Sequence, residues 1–110
     1  RKWSNYWGSR QVEFHKNGRL REEGNYKDGG RDGKFVSYYE NGQIKSERNY
    51  KDGKRDGKIV EYYENGQIKG EGNYYHQKRD GKWVRYDEEG NITSQRCYDM
   101  GDIVDCPEDE

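Results

Sequence analysis

The chain has 110 residues, 39% of them charged and 27% hydrophobic, and its 21 basic and 22 acidic side chains leave a formal net charge of −1. This balance gives no overall field that attracts a polyanion, so we expect no nucleic-acid partner. No apolar run is long enough to span a membrane. Eleven tyrosines and three tryptophans supply apolar area despite the few aliphatic residues, which predicts a folded, core-poor β domain.

The first residues of the chain lie outside any repeat and include Trp3 and Trp7. We predict that residues 1–10 form an N-terminal cap or an irregular segment. The chain does not begin with Met and has no signal-like apolar start, so we expect a mature or trimmed fragment.

From residue 11 onward the sequence repeats every 24 residues without a gap. The elements HKNGRL, YENGQI, YENGQI and DEEGNI begin at positions 15, 39, 63 and 87, and RDGK recurs at 31, 55 and 79. A period of this size is typical of arrays in which each unit needs neighbours to bury its face. We predict about four units over residues 11–98, followed by a C-terminal cap and acidic tail over residues 99–110.

Each unit carries two turn signals. Asn-Gly at 17–18, 41–42 and 65–66 predicts a two-residue type I′ hairpin turn, and the fourth unit carries the weaker signal Glu89-Gly90. The second signal is a longer loop rich in Gly and Asp, such as KDGKRDG at 51–57. Gly and Asn-Gly recur too often for any helix. The predicted fold is therefore all-β, with tandem 24-residue hairpins stacked into one elongated antiparallel sheet.

A two-residue turn at Asn65-Gly66 fixes the pairing of its strands and the two faces of the sheet. It pairs Tyr63 with Ile68, Tyr62 with Lys69, Glu61 with Gly70, Val60 with Glu71 and Ile59 with Gly72. Side chains then alternate between the faces. The first face, which we predict to be the core, carries Leu20, Ile44, Ile68, Ile92, Tyr26, Tyr50, Tyr74, Tyr98, Phe35, Ile59 and Trp83.

Glycine or serine opposite large residues of the first face leaves room for rings to cover the backbone. At two repeat positions arginine replaces glycine: Arg48 is predicted to lie opposite Phe35, and Arg96 opposite Trp83. Their guanidinium groups either stack on these rings or extend their aliphatic stems across them, and we favour the second arrangement.

The second face is as regular as the first. Its ladders comprise Val12, Val36, Val60 and Val84; Phe14, Tyr38, Tyr62 and Tyr86; Arg21, Lys45 and Lys69; and Glu23, Glu47 and Glu71. Cross-strand pairs that stabilise a solvated sheet explain this pattern. A binding surface studded with tyrosine explains it as well. The candidate binding residues on this face are Val36, Tyr38, Val60, Tyr62, Val84 and Tyr86.

The longer loops are basic, whereas the opposite edge of the sheet carries Glu40, Glu64 and two further glutamates. Lys54, Arg55 and Arg79 are the candidate binding cations of these loops, and anionic lipid headgroups are a possible ligand. Solvated turns that deter edge pairing are the simpler explanation of the same charges.

Cys97 and Cys106 lie where the repeat decays. In a small, core-poor domain they predict a disulfide that caps the array, although two separate buried thiols would fit the sequence too. The disulfide would indicate a secreted, periplasmic or cell-surface protein, while a cytoplasmic location stays open.

No catalytic motif, phosphate loop or metal-ligand spacing occurs in the sequence. His15 and His76 are far apart, and each replaces a Tyr or Asp of the other repeats. We therefore expect no enzyme activity, cofactor or metal.

The segment GNYKDGGRDGK at 24–34, its aromatic strand and YYENGQIKSE at 38–47 resemble the MORN (membrane occupation and recognition nexus) repeat family. They are most similar to its bacterial 24-residue variant, often labelled an antitoxin component. The resemblance covers residues 10–98. It implies stacked hairpins that bind protein partners or phospholipids without catalysis. The chain departs from the family pattern at Gln11, at the two arginines that replace glycine and in its last unit.

These observations leave three functional hypotheses. The first is a non-enzymatic scaffold that binds a protein partner. The second is an antitoxin or immunity-like protein that neutralises a toxin, and the third is a module that binds phospholipid at a membrane surface. The sequence fixes neither the partner nor the oligomeric state.

Overall fold

The computed structural model of the protein describes residues 2–5 and 8–107, with side chains from residue 10 onward. Within these ranges the chain is all-β, and eleven strands form one open antiparallel sheet of 47 × 32 × 20 Å. The strands are β1 (Lys2–Asn5), β2 (Gly8–Phe14), β3 (Leu20–Lys27), β4 (Gly30–Tyr38), β5 (Ile44–Lys51), β6 (Lys54–Arg55), β7 (Gly57–Tyr62), β8 (Ile68–Tyr75), β9 (Lys78–Tyr86), β10 (Ile92–Asp99) and β11 (Asp102–Val104). This confirms the predicted elongated array of hairpins.

The strands follow one another across the sheet in chain order, except that short β6 pairs only with β5 and lies off this path. At the first edge, β1 pairs with β2 from Lys2 opposite Gln11 to Asn5 opposite Gly8. The described part of residues 1–10 therefore extends the sheet by one strand. Trp3 belongs to β1, whereas Trp7 lies outside the described residues.

The Asn-Gly turns do not have the predicted type I′ geometry. The amide of Tyr63 donates to the carbonyl of Gln67 at 2.8 Å, and Gly66 donates to Tyr63 at 2.9 Å. Gly66 has a positive φ of 92°, but Asn65 does not. This is a three-residue loop, a type I turn followed by one left-handed residue.

The extra loop residue changes the register next to the turn. Tyr62 pairs with Ile68, and Lys69 is left as a bulge, so the predicted pairs Tyr63–Ile68 and Tyr62–Lys69 are wrong. Farther from the turn, the predicted pairs of Ile59, Val60 and Glu61 are confirmed.

Type I′ turns occur instead at the other edge, where we predicted longer loops. Asp28 and Gly29 have φ values of 52° and 82° between the paired residues Lys27 and Gly30. The same two-residue turn occurs at Asp52-Gly53, His76-Gln77 and Met100-Gly101. Asp-Gly meets the positive-φ requirement as well as Asn-Gly does, so this rule alone does not predict which edge of the sheet has the type I′ turns.

Hydrogen bonds at both edges link each hairpin to the next. Asn41 Oδ1 accepts from the Gln43 amide at 2.9 Å, and its Nδ2 donates to the carbonyl of Glu64 in the following turn at 3.3 Å. At the opposite edge, the Gly53 amide donates to the Arg31 carbonyl at 2.9 Å. These bonds repeat along the array and fix its stacking.

Rings of the first face bury themselves against glycines of the neighbouring strand. Phe35 is only 1% exposed, and a Cβ added to Gly24 would overlap its ring. Tyr26 and Tyr50 meet this ring edge to face at centroid distances of 5.6 and 5.4 Å. This confirms the predicted role of small residues opposite large ones.

Burial is not confined to the predicted core face. Val60 and Val84 of the second face are 7% and 8% exposed, because each lies between long side chains of two adjacent strands. Ile92, predicted to be core, is 59% exposed. Strand β11 pairs only with Cys97, Tyr98 and Asp99, so it does not reach far enough to cover Ile92.

The turn at His76-Gln77 gives a first prediction, since it places two residues other than glycine at positive φ. Gln77→Gly should raise the free energy of unfolding by about 0.5–1 kcal/mol. Left-handed backbone costs a residue with a side chain about 1–2 kcal/mol, and the larger conformational entropy that glycine loses on folding offsets part of this gain. Urea denaturation measures the change. The reverse substitution Gly53→Gln in the preceding repeat should lower stability, and no change in either variant would contradict the assigned geometry.

The ring over Gly72 gives a second prediction. Gly72→Ala should destabilise the protein by about 1–3 kcal/mol, because the added Cβ overlaps the indole of Trp83. Trp83→Leu should cost stability alone but lessen the cost of Gly72→Ala, and a double-mutant cycle by thermal or urea unfolding measures this coupling. Additive losses would show that the ring does not lie on the glycine.

Candidate binding surfaces

The predicted tyrosines of the second face are held by carboxylates of the neighbouring hairpin. The hydroxyls of Tyr38, Tyr62 and Tyr86 donate to Glu23 at 2.7 Å, Glu47 at 3.3 Å and Glu71 at 2.8 Å. We call these six residues the Tyr–Glu ladder. Adjacent strands are about 4.8 Å apart, so the same pair recurs at about 9.6 Å along the sheet.

Burial and the hydrogen bonds of the ladder shift the pKa values of its tyrosines and of Glu23. Burial first, and then the Glu23 carboxylate, raise the pKa of Tyr38 to about 12. The Tyr38 hydroxyl in turn lowers the pKa of Glu23, and Arg10 adds to this effect through an ion pair. Burial and Glu47 likewise raise the pKa of Tyr62. The rings are thus neutral and fixed in orientation over the ordinary pH range.

The candidate valines lie among these tyrosines but differ in accessibility. Val60 and Val84 are buried, and Val36 is half-buried. A partner that approaches this face would contact the half-buried rings of the ladder and their carboxylates more than the valines.

A third prediction tests the ladder. Tyr38→Phe should lower the free energy of unfolding at neutral pH by about 1–2 kcal/mol, because it removes a hydrogen bond to a charged carboxylate and keeps the ring. The raised pKa of Tyr38 adds stability that is complete below the unfolded-state pKa of about 10 and is lost as the pH rises through about 12.

Urea unfolding of the wild type and Tyr38→Phe at increasing pH measures both effects. The difference between the two proteins should shrink across this alkaline window. Tyr75→Phe, at an exposed position outside the ladder, is the matched control. A difference that grows with pH would contradict the assignment.

Two of the three candidate loop cations lie against rings of the first face. The Arg55 guanidinium is 4.5 Å from the Tyr74 ring centroid and donates to its hydroxyl at 3.1 Å. Arg79 lies 4.7 Å from the Trp83 centroid and donates to Tyr98 at 3.1 Å, and this hydrogen bond is the main cause of its raised pKa. Lys54, the third, is exposed in β6.

The contacts of these loop arginines with aromatic rings were not predicted, although the period of the contacts is visible in the sequence. Arg31, Arg55 and Arg79 each precede a tyrosine by 19 residues, and each donates to that tyrosine's hydroxyl. Arg31 and Tyr50 lie on the paired strands β4 and β5, and Arg79 and Tyr98 lie on the paired strands β9 and β10. A cation over a ring adds about 0.5–2 kcal/mol, so these arginines stabilise the stack.

The two arginines that replace glycine pair as expected, Arg48 opposite Phe35 and Arg96 opposite Trp83. The Arg48 guanidinium contacts Glu22 and Tyr50: its Nη2 forms an ion pair with Glu22 at 2.6 Å, and its Nη1 donates to the Tyr50 hydroxyl at 3.2 Å. Positions 46, 70 and 94, which correspond to Glu22 in the later repeats, are Ser, Gly and Ser. Within the described residues, Arg96 therefore has no equivalent ion pair.

A groove of about 430 Å³ opens on the first face across β7 to β10. Its lining includes the rings of Tyr74, Trp83 and Tyr98, and the remaining residues are Arg55, Ile59, Glu61, Gly70, Glu71, Arg79, Val84, Arg85, Ser94 and Arg96. We call it the arginine groove. Its charged side chains are four arginines and two glutamates.

A metal-ligand cluster and a long apolar helix are both absent from the part of the chain that the structure describes. That part has no group of three or more His, Cys, Asp or Glu side chains placed to hold a metal ion. It has no helix long and apolar enough to cross a membrane. His15 contacts the Tyr38 carbonyl at 2.8 Å, in the position where Tyr39 and Tyr63 bond in later repeats.

Cys97 and Cys106 form the predicted disulfide. It joins β10 to the residues that follow β11, and Cys97 is 4% exposed. The bond therefore closes the last edge of the array.

An open stack of hairpins with side chains displayed on both faces defines a repeat scaffold or binding module. The chain belongs to the MORN repeat variant family, whose model matches residues 10–28, 31–52, 55–74 and 79–100. MORN repeats are generally non-enzymatic scaffolds for protein or membrane-lipid interactions. Comparisons with curated proteins and with solved structures give no significant match.

Proposed function

We propose that the chain is a non-enzymatic module that binds a protein partner through the Tyr–Glu ladder and the turns beside it. The supporting observation is the fixed, repeated placement of Tyr38, Tyr62 and Tyr86 on one face. Tyrosine is enriched in protein interfaces. Rings already held by hydrogen bonds lose little conformational entropy when a partner binds.

The repeated spacing favours an extended partner over a compact one. Three equivalent tyrosines about 9.6 Å apart form a row across the strands, so one partner can engage several units at once. Linked contacts of this kind raise the overall affinity beyond that of any single contact.

We further propose that the module works in an oxidising compartment, as a secreted, periplasmic or cell-surface protein. The disulfide between Cys97 and Cys106 supports this location, because such bonds persist outside the reducing cytoplasm.

The fourth prediction tests the proposed surface. The whole chain, with its disulfide intact, serves as bait for surface and lysate extracts of its own organism. Tyr38→Ala/Tyr62→Ala should weaken the retained partner's affinity about tenfold or more, a loss of at least about 1.4 kcal/mol. Tyr75→Ala, an exposed tyrosine outside the ladder, should leave the affinity unchanged. Circular dichroism verifies that all variants are folded.

Equal binding by the ladder variant and the wild type would overturn the proposed surface. A tight one-to-one complex with a toxin would identify the antitoxin role. No retained protein, together with salt-sensitive flotation on vesicles that contain anionic phospholipid, would favour the membrane role instead.

A further inference from the structure

We propose that the arginine groove is a second binding site, which takes an acidic peptide segment of a partner protein. It lies on the face opposite the Tyr–Glu ladder, and the proposal shares with the preceding one only the premise that the chain binds proteins. Arg85 and Arg96 are its central residues.

The first argument is an imbalance of charge within the array. In the early hairpins, Glu22 pairs with Arg48 at 2.6 Å and with Arg31 at 3.8 Å. The groove has no carboxylate at the corresponding position, because Gly70 occupies it. Arg85 and Arg96 form no ion pair with any residue that the structure describes, so an external carboxylate can take the place that Glu22 fills elsewhere.

The two glutamates of the groove do not remove this imbalance. Glu71 accepts the hydroxyl of Tyr86 on the second face at 2.8 Å, so its charge is turned towards the ladder. Glu61 is left to face four arginines in the groove. The site is therefore positive in a chain whose net charge is −1.

The second argument is shape. Position 59 carries Ile where the neighbouring repeats carry Phe35 and Trp83, and Ser94 and Gly70 are small. Ile59 is smaller than either of these rings, and the groove of about 430 Å³ opens beside it, next to the Tyr74 and Trp83 rings. A floor of small residues with aromatic and arginine walls resembles the centre of a protein interface, where Trp, Tyr and Arg contribute most of the binding energy.

The third argument identifies the ligand as an acidic peptide and not a polyanion. A guanidinium group matches a carboxylate in shape and charge and can bind it through two hydrogen bonds. The pocket next to the groove on the same face carries three carboxylates (Glu13, Glu22 and Glu61) and three cations (Arg21, Lys45 and Arg48), so the excess of positive charge does not continue across the sheet for a long nucleic acid. A short extended segment ends before it reaches these residues.

The fifth prediction tests the groove with a displayed library of short random peptides selected on the whole oxidised chain. Peptides that bind the wild type should be enriched in Asp and Glu. Arg85→Gln/Arg96→Gln should lose this enrichment and bind the selected peptides about tenfold more weakly or worse. Lys16→Gln/Lys27→Gln, which changes the net charge equally at exposed positions outside the groove and the ladder, should keep both.

The remaining outcomes separate this inference from the proposed function. Selected peptides without acidic bias, or acidic bias that survives Arg85→Gln/Arg96→Gln, would overturn the groove proposal while leaving a protein-binding module in place. Tighter binding of single-stranded DNA or of anionic vesicles than of the selected peptides would overturn it in favour of a phosphate ligand. Loss of partner binding in the ladder variants, with acidic peptides still bound, would show two independent sites.

Discussion

A sheet one layer thick has no second layer to pack against, and this constraint governs the protein. Its large side chains can be buried only by neighbours on the same sheet. The contact between ring and glycine meets this need, because a glycine lets the Phe35 ring approach the backbone of the next strand until the side chain is 1% exposed. Tyr26 of the preceding hairpin, together with Tyr50 and Arg31, then closes over the ring. No hairpin can form this cluster alone, which explains the tandem repetition.

The two arginines in glycine positions show what happens where this contact is interrupted. A long side chain at position 48 cannot lie under a ring, and the next unit carries Ile59 at the ring position. Glu22 compensates the charge of Arg48, but the later repeats have no such carboxylate. The arginine groove is therefore a local failure of the packing rule, and such failures are where function is expected in an otherwise consistent fold.

Much of this architecture follows from the sequence, because the 24-residue period fixes the strands and the alternation of side chains fixes the faces. The disulfide was also predictable from two cysteines in a core-poor domain. The turn types were interchanged, since both Asn-Gly and Asp-Gly satisfy the same backbone rule. What distinguishes them is a contact with the next hairpin, the bond from Asn41 to Glu64, which no local pattern reveals. Arg55 and Arg79 were placed in loops for the same reason, since their partners Tyr74 and Tyr98 lie 19 residues away along the chain.

The thinness of the sheet also links its two faces and its edge. Consecutive residues of β9 serve opposite faces, so Arg85 lines the groove while Tyr86 belongs to the ladder. The hydrogen bond from Tyr86 to Glu71 joins β9 to β8 and thereby holds the strand that carries Arg85. On the outer side, Arg96 precedes Cys97, whose disulfide ties β10 to the end of the array. The groove's outer wall thus lies next to this disulfide, so an intact Cys97–Cys106 bond supports the order of the site.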